Sequence, residues 1–183
     1  MDLFRLITQD WLDDTCIDAK LLLLADGIDN VNIVKTTQML FLHKKKIGAT
    51  VQTYFKSGIT FVPINFHQAH WTMLVVDSDK KMITMFDPFQ TSQYYDAMDE
   101  QITKHIQPLL SDYCSYQTQV FEALQQDDGI NCGVYILLYA EIVLRRNNLL
   151  QEKPLNTNIL TGTELESLRF KYFCQLLTDI TFS

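Results

Sequence analysis

No run of apolar residues in this chain of 183 approaches the roughly 20 needed to cross a bilayer. The longest candidate, Val134–Ala140, is far too short. The N-terminus, Met-Asp-Leu-Phe-Arg, lacks the basic segment and apolar stretch of a secretory leader. The four cysteines, at positions 16, 114, 132 and 174, form no Cys-x-x-Cys pair and no regular framework. A disulfide scaffold is therefore not expected, and a reducing intracellular compartment, cytoplasm or nucleus, is. Basic residues are scarce: 15 lysines and arginines stand against 22 acids, a net charge of −7. That balance argues against nucleic acid as a partner, because phosphates demand a basic surface. The one basic cluster, Lys44-Lys45-Lys46, reads as a solvated helix end. No repeat, low-complexity tract or Pro/Gly/Ser linker divides the chain.

What is present is globular. Hydrophobic residues make up 47% and charged residues 20%, enough to build one domain, residues 1–183, around its own core. Trp11, Leu12, Ile17, Leu21 and Leu24 recur near helical spacing, with Thr8 and Asp10 as candidate caps, and predict a first helix. A second is predicted from Thr37 to Lys45. Ile59–Asn65, Trp71–Asp77 and Met82–Phe86 are β-branched and apolar and predict consecutive strands, the last two a hairpin about a polar turn. Thr91–Ser111 returns to helical spacing, and Gln117–Ala123 predicts another strand. Gly129 breaks the pattern, and Asn131 is a suitable N-cap for a helix from Cys132 to about Arg146. A last amphipathic helix follows Thr161, with Leu165, Leu168, Tyr172, Phe173 and Leu176 inward. The plan is α+β.

Cys132 stands where that helix begins, and the first-turn N–H groups and positive dipole end favour a thiolate there. Gly133 is expected to leave room for a substrate backbone. A thiolate nucleophile needs a base and an acceptor to orient it. Of His43, His67, His70 and His105, His70 opens a predicted strand, and Asp87 closes a neighbouring one before Pro88. Adjacent antiparallel strands would set these ends side by side. Taken singly, each residue has an ordinary structural explanation: a small hydrophobe, a strand-end histidine and a turn-initiating Asp-Pro.

Together they form an ordered set. Val62-Pro63-Ile64-Asn65, His70-Trp71, Phe86-Asp87, and Gln126 six residues before Cys132-Gly133 follow Trp11-Leu12-Asp13-Asp14. The series closely resembles the ubiquitin-like-protein-specific proteases, the sentrin/SUMO-protease family of the adenain-like peptidase clan. The intervals, 17 residues from His70 to Asp87 and 45 from Asp87 to Cys132, match that family as well. The resemblance implies a papain-like, adenain-like cysteine peptidase fold: a central mixed sheet flanked by helices, with the nucleophile at a helix N-terminus. It implies that Cys132 attacks the carbonyl of a terminal glycine, His70 moves the proton, Asp87 orients His70, and Gln126 donates its amide to the oxyanion. Trp11, on the apolar face of the first helix, and Trp71 would wall a channel that only a Gly-Gly tail passes. One residue departs from the pattern. The family carries Asp before the nucleophile, whereas Asn131 stands here, which removes a negative charge beside the sulfur.

The resemblance implies ubiquitin, SUMO or a NEDD-type modifier and its conjugates as partners, and no metal or organic cofactor. The setting would be the host-cell interior if the chain is a bacterial effector. Asp13, Asp14, Asp127 and Asp128 flank the motifs and would attract the arginines before ubiquitin's Gly-Gly. That tilts the expectation toward deubiquitination over removal of SUMO. Two further readings stay open: a Yop-type acetyltransferase, disfavoured by Asp87 in place of Glu and by the missing basic patch, and a catalytically idle modifier-binding domain. Cys16, Cys114 and Cys174 are expected to be inert.

Overall fold

The computed structural model describes residues 2–38, 49–147 and 160–182. The helix predicted over residues 37–45 falls, beyond its first two residues, outside them, as does the lysine cluster. The elements run α1 (Phe4–Ile7), α2 (Asp14–Ala25), β1 (Val31–Ile33), α3 (Ala49–Tyr54), β2 (Ile59–Phe66), β3 (His70–Asp77), β4 (Met82–Phe86), α4 (Ser92–Gln101), β5 (Gln117–Val120), α5 (Cys132–Arg146) and α6 (Gly162–Phe182). After α4 the chain keeps turning through a π segment, Ile102–Ile106, and a 3₁₀ turn, Gln107–Leu109.

The five strands form one mixed sheet in chain order, with β1–β2 and β4–β5 parallel and β2, β3 and β4 antiparallel. Both faces are covered, so β2 and β3 read as nearly continuous apolar runs. Side chains alternate across the sheet with period two. Phe61, Trp71, Met73, Val75 and Phe86 pack on one face beneath α2, α5 and α6. Val62, Ile64, Leu74, Val76, Ile83 and Met85 pack on the other, against α3, α4 and the π segment. Helix α5 is the hub of the first layer, buried from Cys132 through Glu141. Gly58 is obligatory: its φ is +73°, and a Cβ there would sit 2.0 Å from the Asn30 carbonyl oxygen.

The N-terminal segment departs from the predicted helix. Its apolar residues are split between α1 and α2, because the Asp13 carboxylate accepts the Cys16 N–H at 2.9 Å and starts α2 after Trp11 and Leu12. Trp11 therefore lies on no helix face and is 44% exposed. Strand β1 escaped prediction because its three residues, Val-Asn-Ile, are too short to show a period.

Candidate active site

The antiparallel register pairs Phe66 with His70 and Met73 with Phe86, which brings the start of β3 beside the end of β4. The turn into β3 holds His67 and Gln68 at φ of 57° and 58°, left-handed values closed by the Ala69 N–H donating to the Phe66 carbonyl at 3.0 Å. His70 Nε2 meets Asp87 Oδ1 at 2.6 Å, both side chains buried. Asp87 is a hub. Its carboxylate also accepts the N–H groups of Phe89 at 3.0 Å and Thr91 at 2.9 Å, and the Thr91 hydroxyl at 3.2 Å. Burial works against its charge, but the His70 and backbone donors outweigh it and hold the carboxyl below the usual range.

The second ring nitrogen of His70, Nδ1, is buried without a hydrogen-bond partner among the described residues. Burial disfavours the imidazolium. Asp87 and the nearby Cys132 sulfur more than offset it, and the His70 pKa lies above the ordinary histidine value. Cys132, 3% exposed, is the first residue of α5. The imidazole, the carboxylate and the sulfur thus come from β3, the end of β4 and the tip of α5. The packing that builds the core also builds this cluster.

A cleft of about 570 Å³ opens beside the sulfur. Trp11, Leu12, Trp71, Asn65 and Cys132 line it, and so do Asp13 and Asp14. Trp71 is buried and its indole N–H donates to the Leu12 carbonyl at 2.9 Å, which ties β3 to the strand-like stretch before α2. Asn65 Oδ1, on the cleft wall, is a buried acceptor without a partner among the described residues.

Two sequence expectations need correction. Gly133 does not leave room for substrate. It is buried, and a Cβ there would lie 3.0 Å from Leu12 Cβ and 3.3 Å from both Ile17 Cδ1 and Trp71 Cδ1. The glycine lets α5 pack against the cleft wall. Asn131 precedes α5, but its side chain makes no capping bond. Its Nδ2 donates to Asp128 Oδ2 at 2.8 Å and its Oδ1 accepts from Arg169 at 2.6 Å. Asp13 and Asp128 are both engaged within the protein. Asp13 caps α2 and lies 3.6 Å from the Arg5 guanidinium. Asp128 Oδ1 accepts the N–H groups of Ile130 and Asn131, each at 2.8 Å. Burial opposes the Asp128 charge, yet these bonds keep its carboxyl below the usual range.

Gln126 does not line the cleft and is turned into its own loop. Its Nε2 donates to the Asp128 carbonyl at 2.7 Å and to Asp128 Oδ1 at 3.0 Å, and its Oε1 is buried without a partner among the described residues. Both neighbours of Nε2 are acceptors, so the amide cannot be turned over without placing oxygen against oxygen. Its backbone N–H donates to the Pro88 carbonyl at 2.8 Å, which fastens this loop to the turn holding Asp87. Gln90 Nε2 adds bonds of 2.9 Å to the Glu122 and Leu124 carbonyls. Gln90, Thr91, Asp128 and Arg169 all support the site, and sequence spacing pointed to none of them as supports. Cys16 is buried, its thiol pushed up to about 12 by burial and the Asp13 charge. Cys114 and Cys174 are exposed and line no part of the cleft.

The Ulp1 protease family, C-terminal catalytic domain, matches residues 30–179. No curated protein sequence is significantly similar. Among solved structures, the C-terminal Ulp1 protease domain in complex with Smt3, the yeast ortholog of SUMO, is 19% identical with a TM-score of 0.73, covering 98% of this chain and 82% of its own. The catalytic domain of a Chaetomium thermophilum Ulp1-like SUMO protease is 18% identical with a TM-score of 0.69, covering 92% and 72%. The Xanthomonas campestris effector XopD, bound to ubiquitin, is 21% identical with a TM-score of 0.58, covering 88% and 91%. The mixed sheet between helical layers is the fold these structures share with the chain.

Proposed function

The chain belongs to the Ulp1 family of cysteine proteases, and on that premise we propose that it cleaves after the C-terminal Gly-Gly of a ubiquitin-like modifier with Cys132 as nucleophile. The observation that carries this is the alignment of three groups from separate elements: Asp87 at 2.6 Å from His70, and the other imidazole nitrogen unpartnered beside Cys132. The Cys132 sulfur adds to the glycine carbonyl, and His70 passes its proton to the departing amine. Water, activated by His70, then hydrolyses the thioester. Asp87 fixes the ring and stabilises the imidazolium that forms between these steps.

The backbone N–H of Cys132 and the Gln126 amide are the oxyanion donors in this reading. Gln126 must let go of one Asp128 contact for Nε2 to serve. Trp11 and Trp71 wall the cleft, where a side chain on either terminal residue of the tail would collide, and Asn65 Oδ1 offers an acceptor to the tail's amides. Residues 1–183 act as one catalytic domain in an intracellular setting.

The acids that favoured ubiquitin lend it little support here, because Asp13 and Asp128 are engaged within the protein and Arg5 also lines the cleft. A SUMO-type modifier is the first candidate, as for the Smt3-bound relative. Ubiquitin, the partner of XopD, is the second. Incubation with SUMO, ubiquitin and NEDD-type probes carrying C-terminal electrophiles decides between them. Labelling by SUMO is expected, labelling by ubiquitin alone reverses the order, and labelling by none defeats the reading.

A further inference from the structure

His70 has two neighbours that neither the nucleophile nor the acid accounts for. The Phe89 ring stacks on the imidazole at a centroid distance of 4.6 Å and 14° between planes, and the Tyr94 ring lies at 4.3 Å and 33°. Phe66 backs Tyr94 at 5.6 Å. Phe89 follows β4 and Tyr94 sits in the first turn of α4, and Asp87 places both. Its carboxylate accepts the Phe89 N–H and the Thr91 N–H, and the Thr91 hydroxyl in turn accepts the Tyr94 N–H at 3.4 Å. One carboxylate therefore sets the imidazole and the two rings that lie against it.

The face of a phenyl or phenol ring carries negative charge density and attracts a cation within about 6 Å. A neutral imidazole gains only packing from the same contact. The other groups acting on the ring are Asp87, at the end of β4, and Cys132, at the tip of α5. We propose that Phe89 and Tyr94 are positioning residues whose faces hold the plane of the His70 imidazole and favour its protonated form. That form supplies the proton to the leaving amine. The inference rests on the reading of His70 as the acid–base group, but it concerns the ring itself.

The test is an NMR titration of His70 in the Cys132→Ala protein, where no thiol titrates with it. Phe89→Leu and Tyr94→Leu should each lower the His70 pKa by about 0.4 to 1.5 units, the range a partly desolvated cation–ring contact provides. Tyr94→Phe, which keeps the ring, should leave it unchanged. Pentafluorophenylalanine at position 89 keeps the shape and reverses the quadrupole, so it should lower the value too. This form decides the matter if either leucine variant fails to fold. An unmoved titration in the folded variants overturns the proposal. The titration needs no substrate, so an inactive chain that shows the shift would count against the peptidase reading and not against this one.

Discussion

Arg169 Nη1 donates to Asn131 Oδ1 across 2.6 Å, joining the last helix to the residue before Cys132. The guanidinium is buried, and its Nη2 also donates to the carbonyls of Arg5 at 2.6 Å, Thr8 at 2.9 Å and Asp10. A single side chain thus ties the stretch leading to Trp11 to the loop leading to the nucleophile. Arg169→Met keeps the aliphatic stem but strands these carbonyls, and should lower stability by about 3 kcal/mol. It should also raise KM, because the Trp11 wall loses its anchor. Chemical denaturation and steady-state kinetics read the two effects, and a variant with unchanged KM would show that Arg169 supports the fold alone.

Asp87→Asn sets an amide NH2 against donors that the carboxylate now satisfies and should lower kcat by roughly 10²–10⁴-fold, since an amide neither fixes the working tautomer nor stabilises an imidazolium. The pH dependence of stability follows from the two shifts. His70 titrates above its reference of 6.5, so its contribution is full below 6.5 and fades as pH rises through the raised value. Asp87 titrates below its reference of 3.8, so its contribution is full above 3.8 and is lost as pH falls through the lowered value. The gap in Tm between wild type and Asp87→Asn should be widest from pH 3.8 to 6.5 and narrow on the alkaline side. A constant gap would mean that His70 gains nothing from Asp87.

Gln126→Ala should reduce kcat roughly 10²–10³-fold with little change in KM, as expected for a donor that matters when charge develops. Asp128→Ala removes the Oδ1 contact but keeps the carbonyl one, and should free one N–H of Nε2 while loosening the loop that ends at Asn131. Equal losses in kcat and in modifier binding for Gln126→Ala would identify a structural residue instead.

Gly133→Ala places a methyl 3.0 Å from Leu12 Cβ, an atom anchored to the backbone. Overpacking should cost about 1–3 kcal/mol and displace Leu12 and Trp71 from the cleft wall. A thermal melt with a probe-labelling rate measures both, and wild-type values for each would show that the wall yields without effect.

Strands β2, β3 and β4 and the main helix were legible because their signals are local. Helix α5 begins at Cys132 and ends at Arg146 as read, bounded by Gly129 and by a continuous buried face. Strand β4 runs Met82–Phe86 for the same reason. The start of α2 was misplaced because Trp11 and Leu12 fit a helical period, and only the Asp13 cap shows that the helix starts later. The supports of the site were hidden for a different reason. Arg169 lies 38 residues from Asn131, and Gln90 lies 32 from Glu122. Such pairings have no period and depend on how the layers close. Lys20 is likewise buried in α2, where it donates to Gln175 Oε1 at 2.8 Å, although its charge predicts a surface position.

In the proposed reaction the Cys132 sulfur is the atom that meets the modifier tail. Peptide mapping of the adduct formed with a SUMO-type probe bearing a C-terminal electrophile tests it most directly. The bond should map to Cys132 alone, vanish in Cys132→Ala and slow sharply in His70→Gln, with Cys16, Cys114 and Cys174 unmodified. An adduct on one of those three thiols, or full labelling without His70, would contradict it.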